Sequence, residues 1–79
     1  NKLIVVLPCY NEEDVLPTSI NELTKLINNM IDTKQIANDS FLCFVDDGSK
    51  DNTWKIIVDT SKNNKLVKGI KLAKNKGHQ

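Results

Sequence analysis

The chain alternates short unbroken apolar runs with longer stretches in which apolar residues return every three or four positions. Leu3 to Pro8 is a β-branched run stopped by a proline, too brief for a helix, and it predicts a strand. Leu16, Ile20, Leu23, Ile27 and Met30/Ile31 then recur at helical spacing and predict a helix over about 14–32 with a single apolar stripe. Pro17 falls in its first turn, where a missing N–H costs nothing. Thr33 to Ser40 is polar and reads as a loop, and Phe41 to Asp46 as a second strand, apolar on both faces like the first. A second helix is predicted from about Asn52 to Lys62, with Asp51 as its N-cap and Trp54, Ile57 and Val58 as its buried stripe. Leu66 to Leu72 is a third strand, and Lys68 and Lys71 put a charge on each of its faces, which marks an edge.

This β-α-β-α-β order defines an α/β fold with parallel strands joined by right-handed crossovers. With the lysine-bearing strand at one edge, the strand order is 3-2-1. Two crossovers moving in the same direction put both helices on one face and leave the other bare, although the first two strands have the composition of a sheet interior. The pattern is therefore that of the first half of a doubly wound domain, with the remaining strands and helices outside residues 1–79, which form one incomplete domain. A bare apolar face and a free first-strand edge predict self-association of this piece.

At 79 residues the chain fits one small domain that buries about 60–65% of its unfolded surface. Its composition, 39% apolar and 27% charged, is that of a soluble globular chain. No apolar run approaches the roughly 18 residues of a membrane span, and the first apolar stretch, which ends in Pro8, is too short for a secretory leader. Cys9 and Cys43 both lie in or beside predicted strands and read as free, buried thiols of a cytoplasmic chain. One His and two distant Cys exclude a zinc site. The net charge of +1 hides an asymmetry, since no acid follows Asp59 while Lys62, Lys65, Lys68, Lys71, Lys74 and Lys76 crowd the tail. With no Arg and no aromatic residues among these lysines, nucleic-acid binding has little support, and for Lys62 to Lys71 an edge that resists aggregation is a better account than attraction of phosphates or an anionic membrane surface.

The candidate chemistry sits where the first two strands end. In Pro8-Cys9-Tyr10-Asn11-Glu12 the Tyr ring offers a flat surface for a base, and the amide and carboxylate can bond base or ribose edges. The competing reading is that Asn11 and Glu12 only start a helix, where acids complement the dipole. In Asp46-Asp47-Gly48-Ser49 the Asp-Gly pair is a turn signal, yet two carboxylates at the end of a buried strand exceed what a turn needs. One can accept a ring N–H of uracil or guanine while the other bonds backbone amides of the loop. In open α/β sheets, adjacent strand ends of this kind flank a ligand crevice. Beyond the third strand, Asn75 and Gly77, with Lys74, Lys76 and His78, fall where a diphosphate could be approached; a flexible terminus accounts for them equally well.

Tyr10-Asn11-Glu12, Val45-Asp46-Asp47-Gly48-Ser49-x-Asp51-x-Thr53 and the ending Leu72-Ala73-Lys74-Asn75-Lys76-Gly77-His78-Gln79 together resemble family 2 glycosyltransferases, especially those that glycosylate polyprenyl phosphates, over essentially the whole chain. The resemblance implies a nucleotide-diphospho-sugar transferase (GT-A) fold, an inverting transfer from a UDP- or GDP-sugar and a polyprenyl phosphate acceptor. It also implies a parent protein at the cytoplasmic face of a membrane, in cell-envelope synthesis. Pro8, Tyr10, Glu12 and Asp46 would hold base and ribose, with Asn11, Asp47 and Gly48 in the same nucleotide-sugar site and Asn75 and Gly77 near the diphosphate. Mg²⁺ or Mn²⁺ would bridge the diphosphate to an Asp-x-Asp motif that these residues lack, so no metal ligand and no catalytic residue is expected within residues 1–79. The piece alone is expected to transfer no sugar, and turnover of a nucleotide-sugar by the purified 79 residues would contradict this. Lys74 and Lys76 stand where the family pattern has Arg and Phe, which weakens the case for a bidentate phosphate contact there. A soluble polysaccharide- or protein-modifying member of the family, and a noncatalytic nucleotide-binding or assembly module, remain alternatives.

Overall fold

A computed structural model describes residues 1–72. Ile4–Cys9 forms β1, Leu16–Asp32 forms α1, Phe41–Asp46 forms β2, Thr53–Asn63 forms α2 and Val67–Lys71 forms β3. The strands make one parallel sheet in the order β1-β2-β3, the 3-2-1 arrangement expected from the lysine-bearing edge and from the first half of a GT-A domain.

The register sorts the side chains onto two faces. Val5, Leu7 and Cys9 of β1 pair with Leu42, Phe44 and Asp46 of β2, which pair with Val67, Gly69 and Lys71 of β3. Both helices cover this face, where Leu16, Ile20, Ile27 and Ile57 join Leu42, Phe44 and Val67 in the core. Gly69 is there because α2 lies so close that a Cβ would overlap the Ile57 side chain and crowd the Trp54 ring. The opposite face is bare. Ile4, Val6 and Ile70 on it are 47%, 61% and 50% exposed, and Phe41 is flanked by the ammonium groups of Lys2 and Lys68 at 5.6 and 5.1 Å from its ring centroid. Among the described residues one face therefore lacks cover, as expected, and no strand pairs with the outer edge of β1.

Several boundaries shift by a residue or two from the sequence pattern, as when β3 spans Val67–Lys71 rather than Leu66 to Leu72, and three of the shifts have a clear cause. Pro8 does not stop β1, which continues to Cys9. The carbonyls of Leu3 and Cys9 accept bonds from the β2 side, so the backbone of odd-numbered residues faces β2 and the missing N–H of Pro8 falls on the free edge. α1 begins at Leu16 rather than near residue 14, because Glu12 C=O first accepts both Val15 N–H and Leu16 N–H in a tight turn. α2 has Asn52, not Asp51, at its N-cap, and the Asp51 carboxylate acts one residue earlier, accepting the Thr53 N–H. Cys9 and Cys43 are free and buried, as expected. No helix among the described residues is long and apolar enough to cross a membrane.

Candidate functional site

The carboxyl ends of β1 and β2 lie side by side, since Cys9 pairs with Asp46 and the first amide after β2, that of Asp47, donates to Cys9 C=O at 2.9 Å. The register thus sets Tyr10 beside Asp47. Each strand leads into a turn with one left-handed residue: Asn11 at φ 49°, a conformation Asn tolerates better than most side chains, and Gly48 at φ 81°, where Gly has no Cβ penalty.

The two turns are fastened to each other by side chains. Three consecutive amides of the first turn donate across the gap: Asn11 N–H to Ser49 Oγ at 2.8 Å, Glu12 N–H to Thr53 Oγ1 at 2.8 Å and Glu13 N–H to Asp51 Oδ2 at 3.2 Å. Two amides of the second turn answer, Lys50 N–H to Asn11 Oδ1 at 2.7 Å and Asn52 N–H to Glu13 Oε1 at 3.0 Å. Thr53 Oγ1–H donates to Asp51 Oδ1, so the Thr hydroxyl is both donor and acceptor. Burial pushes the Asp51 carboxyl up, but bonds from the Thr53 hydroxyl and amide and the Glu13 amide outweigh it and hold the carboxyl below its ordinary value.

This fastening divides the candidate residues into two groups. Asp46 is wholly buried and both its oxygens accept the Ser49 N–H at 3.3 Å, which closes the Asp-Asp-Gly-Ser turn. Asn11 spends its side-chain carbonyl on Lys50. Tyr10, Glu12 and Asp47 are exposed, with Tyr10 at 50%, and Pro8 is exposed on the face opposite the helices. Asn75 and Gly77 lie outside the described residues. β3 reaches the same end of the sheet, where Leu72 N–H donates to Asp46 C=O at 3.0 Å. Ser49, Asp51 and Thr53 belong to the stretch that carries the family resemblance, yet their bonds to the first turn cannot be read from the sequence. Their partners lie 38 to 41 residues away, and local spacing reports only caps and turns.

The site is acidic and surrounds a thiol. Burial, followed by the Glu12 and Asp46 carboxylates, pushes the Cys9 thiol up from 9.0 to about 11. Its alkylation at pH 8 is expected to run about a hundredfold slower than that of an unperturbed thiol, in line with the smaller thiolate fraction. Mass spectrometry of the Cys9 peptide across pH 7–11 checks this; a rate that levels off near pH 9 would contradict it. Because the folded thiol keeps its proton longer, its contribution to stability is full below pH 9.0 and is lost as the pH rises through about 11.

Among the described residues no three His, Cys, Asp or Glu side chains converge as metal ligands. Asp46, Glu13 and Asp51 have turned oxygens onto backbone amides, so the donor set does not fit a divalent-cation cage. A recess of about 400 Å³ lies elsewhere, at the amino ends of the strands between Lys2, Phe41, Lys65, Leu66 and Lys68, at the end of the sheet away from both turns.

Residues 4–79 match the model of the family described as Glycosyl transferase family 2. An uncharacterized glycosyltransferase of Bacillus subtilis, YkoT, is 51% identical over 77 residues, 98% of this chain and 23% of that protein. The UDP-N-acetylglucosamine–dolichyl-phosphate N-acetylglucosaminyltransferase of Methanococcus voltae is 41% identical over 58 residues, 72% of this chain and 19% of that protein. The undecaprenyl-phosphate 4-deoxy-4-formamido-L-arabinose transferase of Proteus mirabilis is 40% identical over 57 residues, 72% of this chain and 16% of that protein. The chain thus spans less than a quarter of the length of these relatives. With the family match covering nearly every residue, both carboxylate turns included, the chain belongs to glycosyl transferase family 2.

Proposed function

We propose that these residues form the nucleoside-binding part of a donor site for a UDP- or GDP-sugar, in a glycosyltransferase whose acceptor is a polyprenyl phosphate. The observation that carries this reading is the pair of fastened turns, which leaves Tyr10, Glu12 and Asp47 exposed together beyond the ends of two adjacent parallel strands. The Tyr10 ring supplies a stacking surface, Asp47 accepts the ring N–H that uracil and guanine both carry, and Glu12 accepts a ribose hydroxyl. Asp46 acts from beneath by holding the turn that presents Asp47. Gly48 gives that turn its left-handed corner, and Pro8 forms the edge of the surface. Asn75 and Gly77 remain our choice for the diphosphate side. Relatives named for undecaprenyl and dolichyl phosphates support the acceptor reading, and UDP comes first because one of them is named for a UDP-sugar. A divalent ion held by residues beyond this chain would offset the charge of the diphosphate when bound.

Calorimetric titration of UDP and GDP, each with and without Mn²⁺, tests the reading. One of the two is expected to bind, and to bind without metal, because Tyr10, Glu12 and Asp47 are assigned to the nucleoside alone. Absence of binding by the folded protein, or binding that requires the metal, would contradict it. A sedimentation run on the same samples is expected to show copies associating through the β1 edge or the bare face of Ile4, Val6 and Ile70; a monomer at all concentrations would remove that part.

A further inference from the structure

We infer that Ser49, Asp51 and Thr53 are positioning residues of the nucleotide site, each holding one backbone amide of the first turn so that Tyr10 and Glu12 face the ligand. The inference rests on the nucleotide-binding reading above and adds residues that touch no ligand.

The first turn has little of its own to define it. Within residues 10–16 its main-chain bonds are those of Val15 N–H and Leu16 N–H to Glu12 C=O, and both lie downstream of the exposed side chains. The amides of Asn11, Glu12 and Glu13 find their acceptors only on the second turn, one each on Ser49, Thr53 and Asp51. Asn11 at φ 49° is a conformation that a non-glycine residue keeps only when its surroundings hold it, and it is held at both its N–H and its side-chain carbonyl. The chain of contacts is layered. Asp51 orients the Thr53 hydroxyl by accepting its proton, which leaves the lone pair of Thr53 for the Glu12 amide. Thr53 is wholly buried at the first residue of α2, so its hydroxyl is placed by a rigid element, while Ser49 is only partly buried. The alternating Ser-x-Asp-x-Thr spacing puts three acceptors on one side of the second turn. Separately, the amides of Asn52 and Lys50 return bonds to the first turn, so neither turn keeps its shape alone.

Three variants of the protein test this: Ser49→Ala, Thr53→Val and the conservative Thr53→Ser. UDP and GDP are the probes, and site-resolved amide exchange is the second readout. Ser49→Ala and Thr53→Val are each expected to weaken the nucleotide by about 3- to 10-fold, the worth of one hydrogen bond, while Thr53→Ser stays within about twofold of the original. Exchange of the Asn11 amide should quicken in Ser49→Ala, that of Glu12 in Thr53→Val, and the core strands should be unaffected. A general loss of structure would not give this one-to-one pattern, nor rescue by Ser. Unchanged affinity with a quickened amide would overturn the inference, since the bond would then exist without aiming the ligand. Unchanged exchange would overturn it by removing the bond itself. If Thr53→Val does not fold, Ser49→Ala, at a partly exposed position, decides alone. If the original protein binds neither nucleotide, the binding reading fails and the inference falls with it, whereas failure of the inference alone shows as tight binding in every variant.

Discussion

Asp47→Ala is expected to weaken nucleotide binding by about 10- to 100-fold while the urea midpoint stays where it was. The two carboxylates at the end of β2 are neighbours in sequence but not in environment. Asp47 is exposed and joined to the fold through its backbone N–H to Cys9 C=O, so its side chain is free to accept a bond from a ligand, and a charge-assisted bond of that kind contributes about 1.5–3 kcal/mol. Asp46 is fully buried with both oxygens on the Ser49 amide. Asp46→Ala is therefore expected to act on the fold first, leaving that amide without its acceptor at a cost of about 1–3 kcal/mol, with binding lost as the turn loosens. Paired titrations and urea melts of the two variants check the division. A stability loss in Asp47→Ala equal to that in Asp46→Ala would contradict it.

The second large effect concerns the sheet that carries both turns. Phe44→Ala is expected to remove about 3–5 kcal/mol, as deletions of a buried aromatic ring do. Phe44 is 1% exposed at the middle of the central strand and packs in the cluster formed with Leu16, Ile20 and Ile57. At about 0.05–0.15 kcal/mol per residue, a chain of 79 residues holds about 4–12 kcal/mol in all, so this one ring accounts for a large share. The urea midpoint should fall to roughly half, or the cooperative transition should disappear. A shift worth less than about 1 kcal/mol would mean that the helices do not depend on β2 as described.

The fold was legible because its signals are local and periodic. Phe41 to Asp46 could be read residue for residue, and the lysines at 68 and 71 placed β3 at an edge correctly, one on each face: Lys68 beside Phe41 and Lys71 over the Trp54 ring at 5.9 Å. Pro8 misled because proline ends a ladder only where its N–H is needed, and whether that side of the strand is paired depends on topology. The two acidic turns after two apolar strands were legible as well, and the parallel register brings them side by side. The division of labour among their side chains was not legible. Asn11 looks as available for a ligand as Glu12 and Asp47 when read along the chain, and Asp51 looks like a cap for its own helix alone. Only contact across about forty positions, as between Glu13 and Asn52, reveals which oxygens are already engaged. Thr53 illustrates the same limit, as a motif residue that opens a helix and whose hydroxyl proves to be the acceptor for the Glu12 amide.

The measurement that bears most directly on the site is a backbone amide map of the protein titrated with UDP and, separately, GDP. The expected result is that the resonances of Tyr10, Asn11, Glu12, Asp47 and Gly48 move together with one nucleotide while those around Lys2, Phe41, Lys65 and Lys68 stay still. Shifts confined to that recess at the amino ends of the strands would put the ligand at the wrong end of the sheet and contradict the nucleotide-binding role of the two turns.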